Sequence, residues 1–202
     1  MLQTHSTGAT VRDHILAVAA ELFAKNGVTG VTLDNILSAT DVSRTTLYRY
    51  FRSKDDLVAE YLRRLDVPSR QSLLDAAERN ATNPRSALLG LFDALGRWFR
   101  KPSFCGCVFT NTSIALSASP GHPAHRAAIV HKDGLRAWVR AKIDELGFAE
   151  IEGHSVSEEL SDALMLLVEG SIVTAIVRRD VDSAKNARRA AERLLDTYLL
   201  KA

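Results

Sequence analysis

Val42-Ser-Arg-Thr-Thr-Leu-Tyr-Arg-Tyr-Phe-Arg-Ser-Lys54 carries four cations, Arg44, Arg49, Arg52 and Lys54, and no carboxylate. Tyr48, Tyr50 and Phe51 stand among the cations, and Ser43, Thr45 and Thr46 crowd its start. A short helix opening at Ser43 projects Arg44, Thr45, Thr46 and Tyr48 from its first turn and a half, and turns Leu47 and Phe51, four apart, inward. That is what a helix entering a DNA major groove needs. Hydroxyls and backbone N–H groups at its start suit phosphates, and a few side chains reach base edges. The same residues also suit an amphipathic helix with a solvated basic face, and the flanking sequence decides between the two.

Upstream, Ile15, Val18, Ala19, Leu22 and Phe23 recur at three and four and predict a helix over 11–26, with Thr10 as N-cap and Gly27 as the stop. Thr32 caps a second helix over 33–40, with Asp34 and Asn35 in its first turn. Thr40-Asp-Val42 is a tight connection in which Asp41 takes the position usually held by Gly. Two short helices joined by such a turn and packed on a longer first helix form a helix-turn-helix. Ser53 then caps a fourth helix over 54–64, expected to break or kink at Pro68.

Further helices are expected over 84–100, with Leu88, Leu91, Phe92, Leu95, Trp98 and Phe99 on one face, mostly over 105–117, and over 124–146, ended by Gly147. Another starts at Ser155 or Ser157 and runs to about 178, apolar nearly all round, and the last covers 182–200. No period-two alternation is sustained, so the fold class is all-α, with about nine helices. The 202 residues are 46% hydrophobic and 25% charged, an ordinary globular composition. A net charge of only +2 means that contact with a polyanion must come from a local patch. No uninterrupted run of eighteen apolar residues exists, so no membrane-spanning helix is expected. The first nine residues are polar and lack the apolar core of a signal peptide, and a disordered arm over 1–9 in a cytoplasmic protein is the expectation.

Thr32-Leu-Asp-Asn-Ile36, followed by Val42-Ser-Arg-Thr-Thr-Leu-Tyr-Arg-Tyr-Phe-Arg-Ser-Lys-Asp-Asp-Leu57, resembles the N-terminal signature of tetracycline-repressor-type (TetR family) transcription regulators. The resemblance spans residues 10–65. Phe104-Cys-Gly-Cys-Val-Phe-Thr-Asn111 is similar to a segment of one C-terminal subtype. The chain departs from the family at Thr40-Asp41, usually Ala-Gly, and at Ile36-Leu37, usually Ile-Ala. It also lacks the acid that the subtype often has shortly after the Asn. The resemblance implies a helix-turn-helix domain over 10–53 and a ligand-binding and dimerisation domain over 54–202. It implies a ligand-released homodimeric repressor on a palindromic double-stranded operator, with no cofactor.

By the same resemblance, Thr32, Ser43, Arg44, Thr45, Thr46, Tyr48, Arg49, Tyr50 and Lys54 fall at DNA-contacting positions. Thr32 and Lys54 suit phosphates. Arg44 suits a guanine edge, and the Thr45 and Thr46 methyls suit thymine. An effector cavity among the central helices is implied, with Phe92, Trp98, Phe99, Cys107, Phe109, Trp138 and Met165 as lining candidates, all of which also suit plain core. The uncharged run over 105–119 points to an apolar or weakly polar effector. Cys105 and Cys107 are too close for an unstrained disulfide and read as small hydrophobes or as a thiol sensor. His122, His125 and His131 match no zinc spacing, and no metal is expected. No Gly-rich phosphate loop, Gly-x-Ser-x-Gly or His-Glu-x-x-His is present, so the reading is not an enzyme. The alternative function is an all-α small-molecule-binding homodimer whose helix-turn-helix does not bind DNA.

Overall fold

The computed structural model describes residues 8–148 and 155–199. The expected arm therefore lies almost wholly outside the described residues. Among these there are nine helices and no strand: α1 Gly8–Asn26, α2 Leu33–Thr40, α3 Arg44–Tyr50, α4 Lys54–Glu78, α5 Pro84–Phe99, α6 Val108–Ala115, α7 Pro123–Asp144, α8 Val156–Val177 and α9 Ser183–Leu199. They group into two compact units. The first holds the chain up to Asp66 together with Val108–Ile129, and the second holds Val67–Cys107 and the chain from Val130 onward.

In the first unit, α1 buries Ile15, Leu16, Ala19 and Phe23. It starts before Thr10, which is therefore an interior residue and not the expected cap. Ala9 is a strong helix former, and Gly8 before it is taken in as the first residue of the helix. Gly27, at φ 71°, ends the helix and donates its N–H to the Phe23 carbonyl at 2.9 Å. Thr32 opens α2 through a reciprocal capping box. The Asn35 N–H donates to Thr32 Oγ1 (3.1 Å) and the Thr32 N–H donates to Asn35 Oδ1 (2.8 Å).

Asp41 closes α2 in the left-handed region, at φ 53° and ψ 31°, with its N–H on the Leu37 carbonyl. The turn thus keeps the geometry that glycine usually supplies. The Thr40 hydroxyl supports it from inside, donating to the Ile36 carbonyl at 2.8 Å. Ser43 opens α3 by accepting the Thr46 N–H, and Leu47 and Phe51, each 1% exposed, fix its inner side. Ser53 accepts the Asp56 N–H, and Asp56 accepts the N–H of Arg52, the residue before the cap, so both side chains serve the start of α4.

Helix α4 runs through Pro68 without ending, contrary to the break expected there. Proline removes one N–H and frees the Arg64 carbonyl. Arg64 and Pro68 are both exposed, so water can satisfy that carbonyl while buried neighbours hold the helix on either side. Near its start α4 is tied to α1. Glu60 accepts Arg12 (2.7 Å) and Arg63 (2.8 Å), Arg12 lies 5.3 Å from the Phe51 ring centroid, and Phe23 packs on Tyr61 at 5.4 Å.

In the second unit, α5 is central and packs against α9 and α8. Asn83 caps it, and Leu88, Leu91, Phe92, Leu95 and Phe99 form its buried side. Gly90 faces α4 so closely that a Cβ there would meet the Ala77 carbonyl oxygen at 2.2 Å. Ion pairs edge the α5–α9 contact: Arg85 with Asp196 (2.6 Å) and Arg188 with Asp93 (3.2 Å). At exposed positions such pairs add little stability and set register.

Helix α6 starts only at Val108, so Cys105 and Cys107 lie in the extended approach to it, and Gly106 between them takes φ 92°. Ser155 is the cap of α8. Helix α8, at a mean hydropathy of 1.8, is long and apolar enough to cross a membrane by length and composition alone, a test that the core helix of a bundle also passes. Scattered Ser, Thr, Asp and Glu break its apolar run, and the aliphatic residues between them keep the mean high. Its Leu160, Leu164, Val168, Ile172 and Ala175 are buried in the second unit, as in the core helix of a bundle.

Asp41→Gly is expected to stabilise the protein by up to about 1 kcal/mol by relieving a left-handed residue. Asp41→Val is expected to destabilise it by about 1–2 kcal/mol. Urea midpoints of the two variants check this.

A second expectation concerns pH. The hydrogen bond from Arg12 holds the Glu60 carboxyl below its ordinary value of 4.5, against partial burial and with help from Arg63. The unfolded chain therefore takes up the proton first. The stability this group contributes is present above about pH 4.5 and lost as pH falls through its folded value. Glu60→Gln should flatten the acid limb of a urea-midpoint profile, and an acid limb as steep as the parent's would refute the assignment.

Candidate nucleic-acid interface

The nine residues expected at DNA lie on α3 and at the starts of α2, α3 and α4, all in the first unit. None of them is buried. Thr32, Ser43, Arg44, Thr45, Tyr48 and Arg49 are exposed, and Thr46, Tyr50 and Lys54 are half-exposed. Leu47 and Phe51, on the opposite side of α3, are closed off. Tyr48 is 43% exposed, the more available of the two tyrosines.

Several of these groups already have structural work. Thr32 Oγ1 donates to Asn35 Oδ1 at 2.8 Å besides accepting the Asn35 N–H. Ser43 Oγ and Thr46 Oγ1 are 2.8 Å apart, so both hydroxyls serve the start of α3. Partial burial lowers the Lys54 pKa, while the neighbouring Asp55 opposes the shift. Asp34 escaped the sequence reading. It accepts Arg44 Nη2 at 2.5 Å, although it stands ten residues upstream on the other helix. Its identity as the one carboxylate of α2 was the available signal, but the crossing of α2 and α3 that brings the two together is tertiary.

The effector candidates divide differently. Phe109 belongs to the first unit, and Phe92, Trp98, Phe99, Cys107, Trp138 and Met165 belong to the second. Phe92, Phe99, Cys107 and Phe109 are buried, and Trp98, Trp138 and Met165 are half-buried. Trp98 and Phe99 join Phe104, an aromatic outside the expected set, with centroid separations of 5.0 and 4.9 Å. The Trp138 indole N–H donates to Glu78 at 3.0 Å.

Charge also comes close to Cys107. Lys132 Nζ lies 3.5 Å from its Sγ and 2.6 Å from Glu169, so the uncharged run over 105–119 does not describe the whole neighbourhood. A cleft of 340 Å³ in the second unit has other walls, among them Arg85, Asp93, Arg97, Arg188 and Glu192. None of the seven effector candidates lines it. The histidines meet local groups. His122 Nδ1 accepts the Ala124 N–H and its Nε2 faces Asp55 at 3.2 Å, while His125 Nε2 is 3.2 Å from the Leu116 carbonyl.

A short capped helix exposes hydroxyls, an arginine pair and a tyrosine, and a left-handed turn joins it to a second capped helix. This is the apparatus of a helix-turn-helix DNA-binding regulator. The family model of bacterial regulatory proteins of the tetR family matches residues 15–61. The transcriptional regulator YjdC of Escherichia coli is 24% identical over 91% of this chain and 93% of its own. The transcriptional repressor KstR2 of Mycolicibacterium smegmatis is 37% identical over 45% of this chain and 44% of its own. A solved tetR-type regulator from Streptomyces avermitilis is 26% identical, covering 93% of this chain and 97% of its own, with a TM-score of 0.79. Residues 15–61 thus carry the tetR-family domain, and over nearly its whole length the chain is similar to transcriptional regulators of that type.

Phosphate and base contacts are separable by experiment. Lys54→Gln is expected to reduce the slope of log affinity against log salt by about one while leaving base preference unchanged. Fluorescence anisotropy on operator and scrambled duplexes over a salt series measures both quantities.

Proposed function

We propose that the protein is a homodimeric transcriptional repressor that binds a palindromic DNA operator through α3 and is released from it by a small molecule. The observation that carries the DNA reading is the two-sidedness of α3. Leu47 and Phe51 are sealed, and every proposed contact is accessible. The name of the relative KstR2, a repressor, supports the direction of control. A regulator of this kind works in the cytoplasm beside the chromosome.

The dimer reading rests on α8. Leu166 (74% exposed), Gly170, Val173 (41%) and Val177 (76%) recur at i, i+4, i+7 and i+11, which makes one exposed stripe. A Cβ at Gly170 would meet nothing within 4 Å, so the protomer itself does not require glycine there. A second copy approaching closely would. Two-fold pairing through this stripe puts two recognition helices about one turn of DNA apart and makes the operator palindromic.

The division of labour follows. Residues around α1–α3 read DNA, and the chain from α4 onward senses and pairs. Helix α4 is the covalent carrier between these roles, because it starts in the first unit and ends in the second. An effector that binds one state more tightly shifts the spacing of the recognition helices through α4 and lowers operator affinity. An effector that reaches Cys107 meets the Lys132–Glu169 pair, so a weakly polar molecule suits it better than a hydrocarbon.

Selection from random duplexes should enrich a palindrome whose binding weakens steeply with salt. Leu166→Lys combined with Val173→Lys should give a monomer in sedimentation velocity and weaken binding to the full palindrome at least about tenfold. A doubly substituted protein that stays dimeric would place the interface elsewhere.

A further inference from the structure

We infer that Asp34 is a specificity-determining residue that acts through Arg44: its carboxylate orients the Arg44 guanidinium for a base edge. The inference rests on the operator-binding reading and adds to it a residue that makes no base contact itself. Asp34 lies in the first turn of α2 and Arg44 is the first residue of α3. The pair spans the turn at 2.5 Å, Arg44 Nη2 to Asp34 Oδ1. Both side chains face solvent, at 57% and 76% exposure, as do the nearby Thr32, Ser43 and Thr45.

An exposed carboxylate is a poor neighbour for a phosphate backbone, because it repels the polyanion that the surrounding cations attract. Its presence beside the leading arginine therefore needs a compensating use. Arginine is long and rotamer-rich, and ordering it on binding costs entropy. A carboxylate that holds one corner of the planar guanidinium removes much of that freedom beforehand. The contact engages Nη2 and leaves the other N–H groups for an acceptor beyond the protein surface. Guanine O6 and N7 form the acceptor pair that such a fixed fork fits. The helix caps make the geometry firm at both ends. Asp34 sits inside the Thr32–Asn35 box, two residues after Thr32, and Arg44 directly follows the Ser43 cap.

The carboxylate therefore has two opposite effects on binding. It weakens attraction to DNA of any sequence, and it strengthens the preference for one base pair over the others. A latch that merely occupies Arg44 would show only the first effect.

The experiment uses the full-length protein and the duplex selected by the parent, with each base pair of the half-site substituted in turn. Arg44→Ala should flatten the preference at one base pair. Asp34→Ala should flatten it at that same base pair by about five- to tenfold, within the range set by one bidentate contact, while affinity for a scrambled duplex rises. Asp34→Glu should restore part of the preference. In the Arg44→Ala background, Asp34→Ala should cause no further loss of preference. Helical content by circular dichroism controls for folding, and the rise in scrambled-duplex affinity is a readout that a misfolded domain would not give.

Tighter operator binding by Asp34→Ala with unchanged preference overturns the assignment and identifies a latch. Loss of preference at a base pair that Arg44→Ala does not affect also overturns it. If the parent protein enriches no duplex at all, the operator reading falls and this inference falls with it, a result distinct from either of the first two.

Discussion

The face that α3 exposes depends on two side chains that point the other way. Leu47 and Phe51 are the only buried residues of the α3 segment, and their burial decides which way the helix faces. A seven-residue helix has little stability of its own, since nucleation is costly and few hydrogen bonds repay it. What holds α3 is the pair of apolar anchors, the Ser43 cap at one end and the Phe51 N–H on the Leu47 carbonyl at the other. The burial of each anchor is worth about 1.5–3 kcal/mol, more than any single surface contact on the opposite face. Arg12, lying over the Phe51 ring and bonded to Glu60, extends the anchoring from α3 through α1 to α4.

Much of this arrangement could be read from the sequence because it is local. Thr32, Ser43, Ser53, Asn83 and Ser155 each stand at a helix start and are followed by residues that complete a cap, and helix starts follow such local signals. Helix α2 matches its expected span for this reason. The spacing of Leu47 and Phe51 likewise told inside from outside before any coordinate was known. Thr10 is not a cap because a residue suited to capping is also tolerated inside a helix, here one that begins two residues earlier at Gly8. Pro68 does not break α4 because local chemistry forbids one hydrogen bond only, whereas the fate of the helix depends on whether water reaches the freed carbonyl.

The features that stayed hidden are pairings between residues far apart in the chain. Asp34 with Arg44, Trp138 with Glu78, and Lys132 with Cys107 and Glu169 follow no period, since each needs two helices to cross at a given height. The uncharged run over 105–119 was correctly seen, yet the charge beside Cys107 comes from α7 and α8. Composition along one segment cannot report what another segment brings to it. Helix α8 shows the same limit from the other direction: its apolar character was plain, while the division into a buried side and an exposed Leu166–Val173–Val177 stripe is a property of packing.

The capping box of α2 has a further consequence. The Thr32 hydroxyl owns a single proton, and that proton already points at Asn35 Oδ1 while the oxygen accepts the Asn35 N–H. A phosphate arriving at Thr32 offers an acceptor only, so the hydroxyl must rotate away from Asn35 to meet it. Asn35 Oδ1 keeps the Thr32 backbone N–H as its remaining donor. The encounter is therefore an exchange of one partner for another. Its enthalpy is close to neutral, and what the contact chiefly supplies is a fixed position along the strand.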